Sequence, residues 1–258
     1  MKSQVPAATR TLRVLRYLAG QPDPVPLDSI IRACELPRST AYHLINVMVD
    51  EGWVLHLREE SRFALGPAAS EMAGGYARQA PLARIARRPL ADLTQATGHN
   101  AHLAVLHGRD VLYVIEERAA GRPSLVTDVG VRLPAHLTAS GRAMLANLPA
   151  AQIRALYPDG NAFVARNDAG PSGPSALRRL LSETRRRGYA VETGEVTTGF
   201  ASVAAAVHDH SGQPVAGVAL TYEDHLGEPP DLVDAVRTAA AALTRRLGGT
   251  VTPPPPAR

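Results

Sequence analysis

The first 66 residues hold the pattern that most restricts the fold: three short amphipathic segments, each closed by a helix breaker, then two strand-like runs across a polar turn. Leu12, Leu15, Leu18 and Ala19 fall three and four apart, which predicts a helix over 9–19 with those residues inward. Gly20 and Gln21-Pro22-Asp23-Pro24 end it. Leu27, Ile30, Ile31 and Cys34 repeat the spacing, and Glu35-Leu36-Pro37 breaks it. Arg38-Ser39-Thr40 opens a third helix with a hydroxyl available as N-cap. Its inward face is Ala41, Leu44, Ile45 and Met48, and Gly52 ends it. Residues 53–57 and 62–65, joined by Arg58-Glu59-Glu60-Ser61, read as a hairpin. Three helices and a hairpin, with about four residues between the central helices, is the layout of a winged helix-turn-helix.

A generic small module would satisfy the same spacing, so the outward face of the third helix decides the reading. It presents Ser39, Tyr42, His43 and Asn46, flanked by Arg38 and Thr40. Short or planar hydrogen-bonding groups of this kind reach phosphates and base edges in a major groove, which a Glu/Lys mixture does not. Arg58 and Arg62 in the hairpin are placed to meet flanking phosphates. Basicity is concentrated in the same part of the chain. Residues 1–66 carry 8 basic and 7 acidic side chains, 67–90 carry 4 and 1, and 91–258 carry 16 of each. Before Pro22 there are Lys2, Arg10, Arg13 and Arg16 and no acid. The expected partner is double-stranded DNA.

Other classes are excluded on composition. The aliphatic runs at 203–207 and 239–243 are too short to span a bilayer, and no apolar stretch follows the basic start as a secretory leader requires. The one cysteine, Cys34, cannot form an internal disulfide or a multi-cysteine metal site. A cytoplasmic chain with no membrane contact and no cofactor is expected.

Beyond Gly66, Pro67 is placed to start a linker helix over 67–80, weakened by Gly74-Gly75. A further helix is expected over 82–97, with Leu82, Ile85, Ala86, Leu90 and Leu93 inward, bent or interrupted at Pro89. Strands follow at 101–107 and 111–117 around Gly108-Arg109-Asp110, then 125–129. Helices are expected at 139–148, 150–157 and 175–187, the last ending on Arg185-Arg186-Arg187-Gly188 as cations and glycine end a helix. Strands at 200–208 and 214–222, a helix at 231–247 and a disordered Pro-rich tail at 250–258 complete an α+β domain around an antiparallel sheet. The predicted division is 1–66, 67–80, 81–249 and 250–258.

Several segments in this order resemble the IclR family of bacterial transcriptional regulators over nearly the whole chain. They are Thr11-Leu12-Arg13-Val14-Leu15, Pro37-Arg38-Ser39-Thr40-Ala41-Tyr42, Phe63-Ala64-Leu65-Gly66-Pro67 and Gly98-His99-Asn100-Ala101-His102-Leu103-Ala104-Val105. Two later ones are more specific: His136-Leu137-Thr138-Ala139-Ser140-Gly141-Arg142-Ala143-Met144-Leu145-Ala146, and Arg187-Gly188-Tyr189-Ala190-Val191-Glu192-Thr193-Gly194-Glu195 leading through Gly199 to Val203-Ala204-Ala205-Ala206-Val207. The resemblance implies a homodimer or dimer of dimers, with paired winged helices on an operator. It implies a GAF-like or profilin-like C-terminal domain that binds a small effector, commonly a carboxylate or aromatic acid, which changes DNA affinity. It places the effector at Ala139, Ser140, Glu192, Ser202, Ala219 and Thr221. The chain departs from the family pattern at Ala219, Glu192, Ser202 and Ala206, which bears on ligand identity.

Two rivals can be built from the residues. Ser140, His136 and Glu192 could imitate a hydrolase's nucleophile, base and orienting acid, although Thr138-Ala139-Ser140-Gly141-Arg142 is no Gly-x-Ser-x-Gly elbow. A winged-helix regulator of another type, with a C-terminal domain that only oligomerises, is the second. His208, His210 and His225 lie in or near turns and are too few to argue for a metal. The expectation is a regulator, not an enzyme, and a repressor in its simplest form.

Overall fold

The computed structural model describes residues 5–72, 81–122, 126–167 and 169–251. It divides into two compact units, Met1–Ala80 and Pro81–Arg258.

In the first unit, helices α1 (Pro6–Ala19), α2 (Leu27–Cys34) and α3 (Arg38–Asp50) precede the hairpin β2 (Val54–Leu57) and β3 (Arg62–Leu65). A two-residue strand, β1 (Val25–Pro26), pairs with β3 and makes the sheet three-stranded, in the order β1-β3-β2. The core is Val14, Leu18, Ile30, Cys34, Leu36, Ala41, Ile45, Met48, Val54 and Phe63. The buried stripe of α1 differs from the expected one: Val14 and Leu18 are inward, while Leu12 is 60% exposed and Ala19 is exposed. Glu35, in the left-handed conformation at φ 53°, turns the chain from α2 toward α3. Residues 67–72 continue as helix α4. The rest of the expected 67–80 linker, with Gly74-Gly75, lies outside the described residues, as does 252–258.

The second unit is built on a six-stranded antiparallel sheet of order β6-β5-β4-β9-β8-β7. Its strands are β4 (Asn100–His107), β5 (Asp110–Glu117), β6 (Arg132–Pro134), β7 (Ala190–Thr193), β8 (Phe200–His208) and β9 (Pro214–Glu223). β6 and β7 are additions to the expected order. Residues 126–129 are not a strand, and Leu125 lies outside the described residues. Helix α5 (Pro81–Thr97) runs through Pro89 without interruption and stops at Gly98, φ 68°. The remaining helices are α6 (Ala139–Leu145), α7 (Ala150–Leu156), α8 (Pro174–Arg187) and α9 (Pro230–Arg246). Helix α8 ends on Gly188 in the left-handed conformation after Arg185, Arg186 and Arg187.

Helix α6 covers one sheet face, and α5 and α9 pack together against the other. All seven residues of α6 are buried, which requires small residues beneath it. Ala139 and Ala143 pack against Ala190, Ala204 and Ala219. A Cβ on Gly217 would lie 2.8 Å from the Ser140 carbonyl oxygen, and one on Gly141 would lie 2.2 Å from the Ala135 carbonyl oxygen. Thr138 begins the helix as N-cap, its hydroxyl accepting from the Gly141 N–H at 3.0 Å.

Candidate functional site

The polar residues of α3 form one exposed stripe. Ala41, Ile45 and Met48 are buried, and Leu44 packs partly on the core. Arg38, Ser39, Tyr42, His43 and Asn46 are exposed, and Thr40 is half-buried. The expected hydroxyl cap is absent: Pro37 holds the N-cap position with extended backbone and makes no side-chain cap. Proline has no side-chain acceptor, so the first N–H groups of α3 are left for an external one. Arg38 lies 3.4 Å from Asp28 with both side chains well exposed, so the pair adds little stability and leaves the guanidinium able to turn to another anion.

The hairpin contributes less uniformly. Arg58 is exposed at the turn beside Glu59 and Glu60. Arg62 is exposed but donates to the Pro24 carbonyl at 2.7 Å, so it also fastens β1 to β3. His56 stacks on Phe63 with ring centroids 4.4 Å apart.

In the second unit, Glu192, Ser202 and Thr221 stand opposite one another on three neighbouring strands. Ser202 Oγ donates to Glu192 Oε1 at 2.8 Å and lies 3.0 Å from Thr221 Oγ1. One step along the same face come Ala190, Ala204, Ala219, His102 and Glu116. Ser140 and Ala139 look down on this face from α6. The strand registers place Glu192, Ser202, Ala219 and Thr221 on one sheet face together with His102, Glu116 and Tyr113, and Ala139 and Ser140 come to it from α6. The Tyr113 ring meets the His102 ring edge-on at 5.8 Å. These additions rest on the β4–β5 and β4–β9 registers, which local sequence does not state. The one signal available was the odd histidine within the apolar run of β4.

The patch is buried and polar. Both nitrogens of His102, Ser140 Oγ, Glu192 Oε2 and Glu116 Oε1 are buried without a hydrogen-bond partner in the protein. Such groups are costly unless something satisfies them. Burial pushes the Glu192 carboxyl up to about 8; the Ser202 hydrogen bond opposes this and neighbouring Glu195 adds to it. Burial lowers His102 to about 4, with Arg118 adding to the effect. Burial raises Tyr113, and Glu192 raises it further. At neutral pH the patch therefore presents a protonated acid, a neutral imidazole and a neutral phenol.

Beside it, each of the three guanidinium nitrogens of Arg142 makes a hydrogen bond. They donate to the His136 carbonyl at 2.9 Å, to the Val191 carbonyl at 2.7 Å and to Glu195 Oε1 at 2.8 Å. Glu195 Oε2 accepts in turn from the Thr193 N–H. This buried pair fixes the loop after β7 and so positions Glu192.

The hydrolase constellation is not assembled. Ser140 Oγ has no partner, His136 Nε2 lies 3.1 Å from the Val164 carbonyl, and Glu192 is bonded to Ser202. Among the described residues no group of three or more His, Cys, Asp or Glu is placed to hold a metal, and no helix is long and apolar enough to cross a membrane. Asp209 instead closes the turn near His208 and His210, accepting from Ser211 and Gln213.

Comparison with known proteins bears on both units. Residues 7–57 match the IclR helix-turn-helix domain, and 74–245 match the C-terminal domain of the bacterial transcriptional regulator IclR. The glycerol operon regulatory protein of Streptomyces coelicolor is 32% identical over 255 residues, covering 96% of this chain and 98% of that protein. The transcriptional repressor IclR of Escherichia coli is 26% identical over 220 residues, covering 84% and 80%. Among solved structures, an IclR transcriptional regulator from Silicibacter superimposes with a TM-score of 0.82 at 24% identity, covering 97% of this chain and all of that one. An IclR homologue from Microbacterium hydrocarbonoxydans, complexed with 4-hydroxybenzoate, gives a TM-score of 0.78 at 24% identity, covering 93% and 98%.

Proposed function

This chain belongs to the IclR family of bacterial transcriptional regulators, and from that premise we propose that it is an effector-responsive repressor acting on operator DNA in the cytoplasm. The observation that carries the DNA half is the exposed stripe of α3, Arg38, Ser39, Tyr42, His43 and Asn46, with half-buried Thr40 beside it, beginning at a helix end without a side-chain cap. The stripe enters the major groove, and the free N–H groups of its first turn meet a phosphate. Arg58 and Arg62 contact flanking backbone. The protein works as a homodimer or a dimer of dimers, so that paired helices meet a pseudo-palindrome.

The effector sits on the patch formed by Ala139, Ser140, Glu192, Ser202, Ala219 and Thr221. Its unpartnered buried polar atoms support this reading. The resemblance implies a carboxylate or aromatic acid as the effector. No turnover is expected, because Ser140 lacks a base. The test is a gel shift with fragments from the chain's own genomic neighbourhood at two salt concentrations. Specific retardation that weakens steeply with salt is expected, and no retardation at low salt would overturn the reading.

A further inference from the structure

Away from the sheet, α7 and α8 each lay an apolar stripe on the core: Ile153 with Tyr157 at the end of α7, and Leu177 with Leu181, both pairs four residues apart. Between the stripes the two helices leave a hollow of about 200 Å³. Its floor has no free polar side-chain atom. The Tyr157 hydroxyl donates to the Arg109 carbonyl at 3.3 Å, and burial raises its pKa, so it stays neutral. Water held over such a floor gains little, and an apolar group displaces it favourably.

The rim is the opposite. Arg154, Arg178 and Arg185 line the hollow, and all three are exposed. Arg178 donates one terminal nitrogen to Ser175 Oγ at 2.9 Å, and Arg185 donates Nε to the Ala146 carbonyl at 2.8 Å. Their other N–H groups stay available. Among the described residues none of the three is paired with a carboxylate, whereas Arg118, Arg122, Arg142 and Arg187 of the same unit each are. The charge is segregated as well: residues 150–187 carry 7 basic and 3 acidic side chains, and the rest of 91–258 carries 9 and 13.

An apolar floor inside a ring of guanidinium groups selects a molecule with both characters. A phosphate polyanion would meet the arginines and leave the floor wet. A neutral hydrocarbon would cover the floor and leave the arginines unused. A carboxylate suits them best, because the planar guanidinium meets it with two parallel hydrogen bonds. The size of the hollow calls for a compact body rather than a long chain.

We propose that the hollow between α7 and α8 is a second ligand site, separate from the patch beneath α6. It takes a small amphipathic carboxylate, with the hydrocarbon body on Ile153 and Leu181 and the head among Arg154, Arg178 and Arg185.

The test is calorimetric titration of the full chain with hexanoate and cyclohexanecarboxylate, and with the amide of each as a neutral analogue. At least one carboxylate should give a saturable heat and its amide none. Arg154→Ala with Arg178→Ala should weaken that carboxylate about tenfold or more. Arg84→Ala with Arg87→Ala removes the same charge from the exposed side of α5 and should leave the heat unchanged. All four side chains are exposed, so melting temperatures should move little. A carboxylate seated beneath α6 instead would keep its full heat when Arg154 and Arg178 are replaced, and that result would overturn the site. Equal weakening by both double variants, equal heat from the amide, or no saturable heat from either carboxylate would overturn it too.

Discussion

Gly217 lies directly under Ser140: a Cβ at that position would come within 2.8 Å of the Ser140 carbonyl oxygen and 3.0 Å of its Cα. Both obstacles are backbone or fixed to it, so neither can rotate aside. Gly217→Ala should therefore lift α6 from the sheet and cost about 1–3 kcal/mol, read by urea unfolding. The same shift moves Ser140 relative to His102 and Glu192, so effector response should fail before the fold does.

Glu192 makes stability depend on pH. Its carboxyl titrates at about 8 in the folded chain against an ordinary 4.5. Between those values the folded chain keeps a proton that the unfolded chain releases. The stabilisation is complete below about pH 4.5, falls as pH rises, and is lost above about pH 8. Glu192→Gln cannot release that proton. Relative to wild type it should gain on the order of 2–4 kcal/mol between about pH 5 and pH 9. Thermal melts across that range check it, and a constant gap would contradict the burial argument.

Arg142 and Glu195 form the buried ion pair beside the patch, with side chains 3% and 13% exposed. Arg142→Met strands the Glu195 carboxylate and two carbonyls together, and should cost about 3–5 kcal/mol. Glu195→Gln keeps an acceptor and should cost clearly less. The ranking is read from urea midpoints of the two variants.

On the DNA side, Arg38→Ala with His43→Ala should abolish specific retardation of operator DNA. Both side chains are exposed, so the melting temperature should move little. Retained retardation with an unchanged melt would remove the assignment of the α3 stripe.

The winged module was legible because its information is local. Breakers at Gly20, Pro37 and Gly52 and the spacing of Ile30, Cys34, Ala41 and Ile45 fix where the helices lie and which side faces in. Even there, α1 buries Val14 while Leu12 points out, since two registers fit one stretch of leucines and only tertiary packing chooses. The Pro37 N-cap was missed because extended backbone, rather than a hydroxyl, starts α3. In the second unit, β7 is four residues long and β6 three, too short for alternation to mark them. Glu192, Ser202 and Thr221 entered through family resemblance. His102, Glu116 and Tyr113 could not, because they join the patch through the β4–β5 and β4–β9 registers, which bring together residues far apart in the chain.

The most direct test of effector-controlled DNA binding is fluorescence anisotropy of a labelled operator, titrated with wild type and with Ser202→Leu, each with and without the effector found by titrating small carboxylates and aromatic acids. Wild type should change its operator affinity about tenfold or more when ligand is added, in the range of ordinary allosteric coupling. Ser202→Leu should bind operator as tightly as free wild type and ignore the ligand. A ligand response that survives Ser202→Leu, or a wild type whose affinity the ligand never alters, would contradict it.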